Sequence, residues 1–245
     1  MYGFRLVPHP GLLMRSSLYG GRDPRALPAY RISDAARYLH VPQATLRSWF
    51  AGRTYPRQHG GPGSFTRLIN PADVDGCRLS FLNLVEAHVL RALRTEHGIA
   101  LQAVRAALDY AENRLGIEHV LLSDSLLTGA GEVFLDHYGD LISLSRSGQI
   151  AIRRVLEIYL RRVERDDRHI PMRLFPFLTE AQTESQTVVI DPRVSFGRPI
   201  VNGSGITTST LVRRVDAGET VEHLARDYEL SAEMISDALV FEKAA

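Results

Sequence analysis

The triplet His40-Val41-Pro42 constrains the fold of this chain more than any other feature. A proline cannot continue a helix, yet it sits well in the first turn of the next one. The break therefore divides Tyr30–Phe50 into two short helices joined by a tight turn. Ahead of it, Ser33 is placed to act as an N-cap, and Ala36, Leu39 and Val41 fall on one apolar face. After it, Leu46 and Phe50 lie four apart and face inward with Trp49 beside them. Gln43, Thr45, Arg47 and Ser48 are left pointing outward.

Those four are side chains that can meet base edges or phosphates in a major groove. The loop that follows, Gly52–Gly63, is too rich in Gly and Pro to be helical and carries Arg53, Arg57 and His59. It runs into the strand-like Phe65–Ile69, which includes Arg67. Such a hairpin suits a wing that touches the DNA backbone or minor groove. The segment reads as a winged helix-turn-helix, with Ser33, Gln43, Thr45, Arg47, Ser48, Arg53, Arg57, His59 and Arg67 as the expected DNA contacts. An Arg-rich solvated surface on an ordinary helical pair is the competing reading. Turn spacing, outward polar set and basic wing agree on the first.

From Tyr30 to about Leu108 the chain resembles the MerR-type winged helix-turn-helix. Tyr30-Arg31-Ile32-Ser33, the Thr45-Leu46-Arg47 triplet with an aromatic at Trp49, Asn70-Pro71-Ala72-Asp73-Val74 and His97-Gly98-Ile99-Ala100-Leu101 carry the resemblance. Metal-sensing members carry ligand cysteines, which are absent here, and the long dimerising helix that usually ends them is not apparent.

Charge is distributed unevenly along the 245 residues. Residues 1–70 hold ten Arg and two Asp, residues 71–180 thirteen Arg and sixteen acids, and residues 181–245 six basic and ten acidic residues. A basic head on an acidic body points to a polyanion at one end only. Cys77 is the sole cysteine, which excludes an intramolecular disulfide and a zinc site built on paired thiolates. A reducing, cytoplasmic compartment fits that usage. No apolar run approaches the roughly 18 residues of a membrane span. Residues 1–21 lack the h-region of a secretory signal and read as a disordered leader.

Apolar periodicity predicts helices over Phe81–Arg94, Leu101–Leu115 and about Gly148–Glu164. Val133–Leu144 reads as two short strands around a turn at Gly139-Asp140, and Met172–Leu178 as a strand. His88 and His97 have no second ligand at metal-like spacing and read as structural or surface histidines. Asp136, Asp140, Asp166 and Asp167 cluster in sequence without a nucleophile-base pair, so they read as surface acids. No zinc-protease, Walker or nucleophile-elbow motif appears. The expectation is a protein that is not an enzyme and needs no cofactor or metal.

Thr179–Thr187 has little core-forming character and is the best linker in the chain. Beyond it, Val188–Ile190 reads as a strand, and Thr208–Asp216, Val221–Tyr228 and Ala232–Lys243 as helices. Leu224, Tyr228, Leu230, Ile235, Ala238 and Leu239 would form their core. The expected fold is thus mainly α with short β-strands (α+β): a leader to residue 21, a head over 22–178, a linker over 179–187 and a helical module over 188–245. The acidity of that module argues for dimerisation or partner binding rather than DNA contact. Its deletion is expected to leave the head folded.

Ile190-Asp191-Pro192-Arg193-Val194, Gly197-Arg198-Pro199, Gly203, Ile206 and Ala217-Gly218-Glu219-Thr220-Val221-Glu222 resemble the small antitoxin-associated domain found beside PIN-type ribonuclease toxins. Gly203-Ser204-Gly205 stands where much of that family has Gly-Thr-Arg. With the head, the chain from about Tyr30 is similar to the long VapB-type antitoxins. The resemblance implies a homodimeric antitoxin that binds operator DNA and a cognate PIN/VapC-type toxin, whose acidic site an arginine would plug. Arg168, Arg173, Arg193 and Arg198, expected in irregular segments, are the candidates. The alternative is an effector-responsive MerR-like transcriptional regulator, not tied to a toxin, that binds a small molecule through residues 81–178.

Overall fold

The computed structural model describes residues 21–55, 63–95, 101–116, 119–123, 126, 135–139, 146–178 and 184–244. They are mainly helical, with three two-stranded antiparallel sheets among the described residues. The expected leader to residue 21 lies almost wholly outside them, as do Arg57, His59, His97 and Asp140.

The head begins with helices α1 (Ile32–Tyr38) and α2 (Gln43–Ala51). Ser33 is not the N-cap. Arg31 holds that position in extended geometry with no side-chain cap, and Ser33 lies in the first turn. The cause is long-range: Tyr30 pairs with Leu79 through two backbone bonds of 2.9 Å, so the chain enters α1 straight from a β-bridge and buries Ile32. The turn after α1 is built by His40 in the left-handed region (φ 50) and by Val41 N–H donating to Ala36 O at 3.0 Å. This is the Schellman arrangement, closed by the buried Val41. Pro42 then stands at the N-cap of α2.

Strands β1 (Arg53–Tyr55) and β2 (Gly63–Phe65) pair antiparallel as the wing, with Arg53 opposite Phe65. Gly52 has φ +71, and a β-carbon there would meet Phe65 O at 2.4 Å, so the wing needs glycine at its root. The strand expected over Phe65–Ile69 ends at Phe65, because Leu68 and Ile69 N–H both donate to Trp49 O and fix the chain beyond β2 to α2.

Helix α3 (Phe81–Thr95) is the centre of the molecule and is buried nearly all round, from Phe81 to Leu93. Its start is a reciprocal capping box: Asn83 N–H donates to Ser80 Oγ and Ser80 N–H to Asn83 Oδ1, both at 3.1 Å. Helix α4 (Leu101–Leu115) has the expected bounds. Its Arg105 donates to the Thr66 and Arg67 carbonyls and thereby grips the wing from behind.

Three expectations for the middle of the chain need correction. Residues 135–139 are helical, not strand; Leu135 and Tyr138 both point inward at helical spacing, and the Tyr138 hydroxyl donates to Leu93 O at 2.9 Å. The flanking residues of that expected hairpin, 133–134 and 140–144, lie outside the described residues. Helix α5 (Arg146–Leu160) stops short of Glu164, because Val163 leaves the apolar stripe to pair with Leu174. Strands β3 (Val163–Arg165) and β4 (Pro171–Leu174) form that hairpin, and the extended strand expected to Leu178 ends at Leu174. Arg162 makes the corner between helix and sheet. It is 3% exposed and donates to the carbonyls of Phe175, Pro176 and Ser185 at 2.5–2.8 Å.

The C-terminal part comprises β5 (Val188–Val189) and β6 (Ile200–Val201), paired antiparallel, and helices α6 (Thr208–Asp216), α7 (Val221–Asp227) and α8 (Ala232–Lys243). Thr220 and Ser231 cap α7 and α8 through their hydroxyls. Val201, Leu211, Leu224, Ile235 and Ala238 make a core of their own. This module is nevertheless stitched to the head. Val188, Ile190 and Phe241 belong to the main core, Ile190 bridges Leu174, and Arg37 pairs with Glu242. Within the stretch read as a linker, Ser185 and Thr187 hydroxyls donate to Asp237 at 2.9 and 2.7 Å; residues 179–183 lie outside the described residues. Removing residues 188–245 would strip side chains from the head's own core, contrary to the expectation that the head folds without them.

Candidate nucleic-acid interface

Helix α2 buries Leu46, Trp49 and Phe50 and leaves Gln43 and Arg47 exposed, with Thr45 half-buried. Ser48 departs from the outward set. It is 8% exposed and donates its hydroxyl to Thr45 O at 2.7 Å, satisfying itself on the preceding turn. Ser33 is exposed on α1, Arg53 at the base of the wing, and Arg67 beyond the wing with its Nε bonded to Asn70 Oδ1 at 2.9 Å.

Sequence reasoning missed two arginines. The antiparallel bridge between Tyr30 and Leu79 sets their neighbours, Arg31 and Arg78, opposite each other. Both are exposed, and both line a groove of about 330 Å³ together with Ser33, Gln43, Arg47 and Cys77. Arg78 is held there by a tight turn in which Asp73 and Arg78 exchange two backbone bonds of 3.0 Å and Cys77 adopts φ 45. The groove has no acidic residue in its lining, and among the described residues no carboxylate pairs with Arg31, Arg47 or Arg78. No local signal in the sequence links Arg31 to Arg78.

Residues 28–108 match the family described as "Putative DNA-binding HTH domain", and residues 188–241 match "Protein of unknown function (DUF433)". A protein of Mycobacterium tuberculosis (strain ATCC 25618 / H37Rv) named "Putative antitoxin VapB45" is 33% identical over 231 residues, covering 87% of this chain and 93% of the relative. The chain belongs to the VapB-type antitoxin family. A crystal structure of Rv2018 from Mycobacterium tuberculosis has the same fold, with a TM-score of 0.62, 28% identity and coverage of 87% of this chain and 97% of that one.

The remaining candidate arginines of this VapB-type chain fall into two pairs. Arg173 lies in β4 rather than in an irregular segment, and its Nε reaches Asp191 Oδ2 at 3.3 Å. Arg193 clasps the same carboxylate with Nε and Nη2 at 2.9 and 2.7 Å. Burial pushes the Asp191 carboxyl up, but the bonds from Arg193 and Arg173 outweigh it and hold the group below the usual carboxylate range. These two arginines are therefore committed to a buried acid inside the chain. Arg168 and Arg198 are exposed.

Beside Arg198 the backbone is unusual. Ser195, Phe196 and Gly197 have φ of 49, 55 and 73, three consecutive left-handed residues. The Ser195 hydroxyl donates to Gly205 O at 3.1 Å and holds the loop in place. Phe196 is thrust into solvent at 72% exposure.

His88, Asp166 and Asp136 in the middle segment are held by partners within the chain. His88 is buried, Nε2 lies 3.1 Å from Tyr159 O, and burial depresses its pKa to about 3, with Arg91 and Arg162 acting in the same direction. Asp166 accepts from Arg25 at 2.6 Å and from two backbone N–H groups, and Asp136 accepts from Arg153 at 3.0 Å. Among the described residues no group of three or more His, Cys, Asp or Glu is arranged to hold a metal ion, and no helix is long and apolar enough to cross a membrane.

Proposed function

We propose that this chain is the antitoxin of a type II toxin-antitoxin system, a cytoplasmic homodimer that neutralises a PIN/VapC-type ribonuclease by direct binding and represses its own operon through operator DNA. The observation that carries the DNA half is the exposure of Gln43 and Arg47 on α2 beside Arg31 and Arg78, which have no carboxylate partner among the described residues. An amide and a guanidinium one helical turn apart can read base edges, while the wing with Arg53, Arg57 and His59 tracks the backbone. Two recognition helices related by a two-fold axis would then meet half-sites about one helical turn apart.

The toxin half rests on the relative's name and on the loop of Phe196 and Arg198. An exposed aromatic next to an exposed guanidinium is the composition of a binding hot spot. Arg198 offers bidentate pairing to a partner's carboxylates, and Arg168, exposed in the β3–β4 turn, is a second candidate.

The test is co-expression with the neighbouring gene product. The expected result is that the neighbour alone arrests growth, that this chain relieves the arrest, and that the two co-purify. A neighbour that neither inhibits growth nor co-purifies would falsify the antitoxin reading.

A second reading has one observation in its favour. A cavity of about 340 Å³ lies between the wing root, α3 and α4, lined by Glu86, Glu112 and His119 among apolar side chains. A ligand-dependent change in DNA affinity, seen without any toxin, would support an effector-responsive regulator instead.

A further inference from the structure

We infer that Arg31 and Arg78 form a clamp for one backbone phosphate of duplex DNA, a contact that positions the recognition helix without reading sequence. The inference rests on the DNA-binding reading above and adds to it a residue outside both the helix pair and the wing.

Three arginines from three separate parts of the chain line the groove: Arg31 from the N-cap of α1, Arg47 from α2 and Arg78 from the Asp73–Arg78 turn. A cluster of like charges is disfavoured unless an anion shares it; none of the lining residues is acidic, and the Asp73 carboxylate behind Gly76 accepts from Gly76 N–H at 3.2 Å and forms no ion pair with the three arginines among the described residues. The other polar groups lining it, the Ser33 hydroxyl and the Gln43 amide, can both donate to an oxyanion. The contrast with Arg173 and Arg193 is direct, since those two share Asp191 and Arg173 pairs with Glu164 as well. The Arg31–Arg78 pair is also held by backbone, through the Tyr30–Leu79 bridge and the two Asp73–Arg78 bonds. The backbone positions of the two residues are therefore set independently of their side chains and survive side-chain substitution.

The groove opens next to Gln43 and Arg47, the two residues proposed to face the bases. A phosphate seated between Arg31 and Arg78 would fix the distance of α2 from the backbone. Phosphate contacts of this kind set register and orientation, while base contacts set sequence preference. The clamp explains why the head concentrates arginine on a part of the chain that a helix-turn-helix pattern alone would leave unassigned.

Binding of the full-length chain to a labelled duplex carrying the sequence upstream of its own gene, and to a scrambled duplex of equal length, is measured across a salt series. Arg31→Ala and Arg78→Ala should each weaken binding to both duplexes by the same factor and reduce the salt slope by about one. Arg78→Lys should keep most of the slope, because an ammonium still neutralises a phosphate. Arg161→Ala, an exposed arginine beyond α5, controls for net charge, and a thermal melt confirms that each variant is folded. Unchanged slopes in Arg31→Ala and Arg78→Ala, or a loss confined to the upstream duplex, would overturn the clamp while leaving the DNA-binding reading intact. A wild-type chain that binds neither duplex overturns both.

Discussion

A β-carbon on Gly197 would stand 2.0 Å from the Tyr30 hydroxyl oxygen, so the C-terminal loop closes onto the head only because that side chain is missing. Gly197 also has φ +73, a region that L-residues enter at a cost. Steric fit and backbone conformation thus select glycine independently.

Gly197→Ala is expected to destabilise the chain by roughly 2–4 kcal/mol, from overpacking and left-handed strain together. The Tyr30 hydroxyl has no hydrogen-bond partner among the described residues, so Tyr30→Phe should be neutral or slightly stabilising. In a double-mutant cycle read by urea unfolding, Tyr30→Phe should recover part of the Gly197→Ala loss. Strict additivity would mean that the two residues do not meet.

His88 makes a prediction about pH. Its folded pKa of about 3 lies below the ordinary 6.5, so the native state prefers the neutral ring and the unfolded chain takes up the proton first. The stabilisation is fully present above pH 6.5 and is lost as pH falls toward 3, at up to about 1.4 kcal/mol per pH unit for this one group. His88→Gln keeps a donor for Tyr159 O and removes the titration. Urea midpoints measured from pH 7 down to pH 4.5 should fall less steeply in the variant than in the wild type.

On the DNA side, Arg47→Ala should cost about 1–3 kcal/mol on the operator and relax preference at one base pair. Ser48→Ala should leave operator affinity unchanged, because that hydroxyl is spent on Thr45 O. Electrophoretic competition against single-base operator variants separates the two. A loss from Ser48→Ala equal to that from Arg47→Ala would contradict the burial of Ser48.

These contrasts mark where sequence was informative. The bounds of α4, α6 and α8 coincide with the apolar periodicity and the capping residues around them, since helices are set by local spacing. Ser33, Ser48 and β3 depart from what local spacing predicts for two reasons: a distant partner decides Ser33 and β3, and a competing local bond decides Ser48. The Tyr30–Leu79 bridge moves the start of α1, the β4 strand captures Val163, and the Ser48 hydroxyl turns back on its own helix. The same bridge brings Arg31 beside Arg78, a pairing that no periodicity encodes. In the C-terminal module the small core was legible, whereas the placement of Phe241 in the head core was not, because its position on α8 fits either side.

Phe196 offers a test in which stability and function should move in opposite directions. A left-handed conformation is costly for a residue with a β-carbon, and at 72% exposure the ring recovers little by burial within the chain. Phe196→Gly should therefore raise unfolding stability by up to about 1 kcal/mol, while Phe196→Ala leaves it nearly unchanged. Both should weaken capture of the co-expressed toxin, and Arg198→Glu should weaken it further if the partner surface is acidic. Titration calorimetry against the purified toxin gives the binding loss, and thermal melts of the free antitoxin give the stability change. Should Phe196→Gly bind toxin as tightly as the wild type, the loop would be a structural oddity, and the toxin-binding face would have to be sought around Arg168 instead.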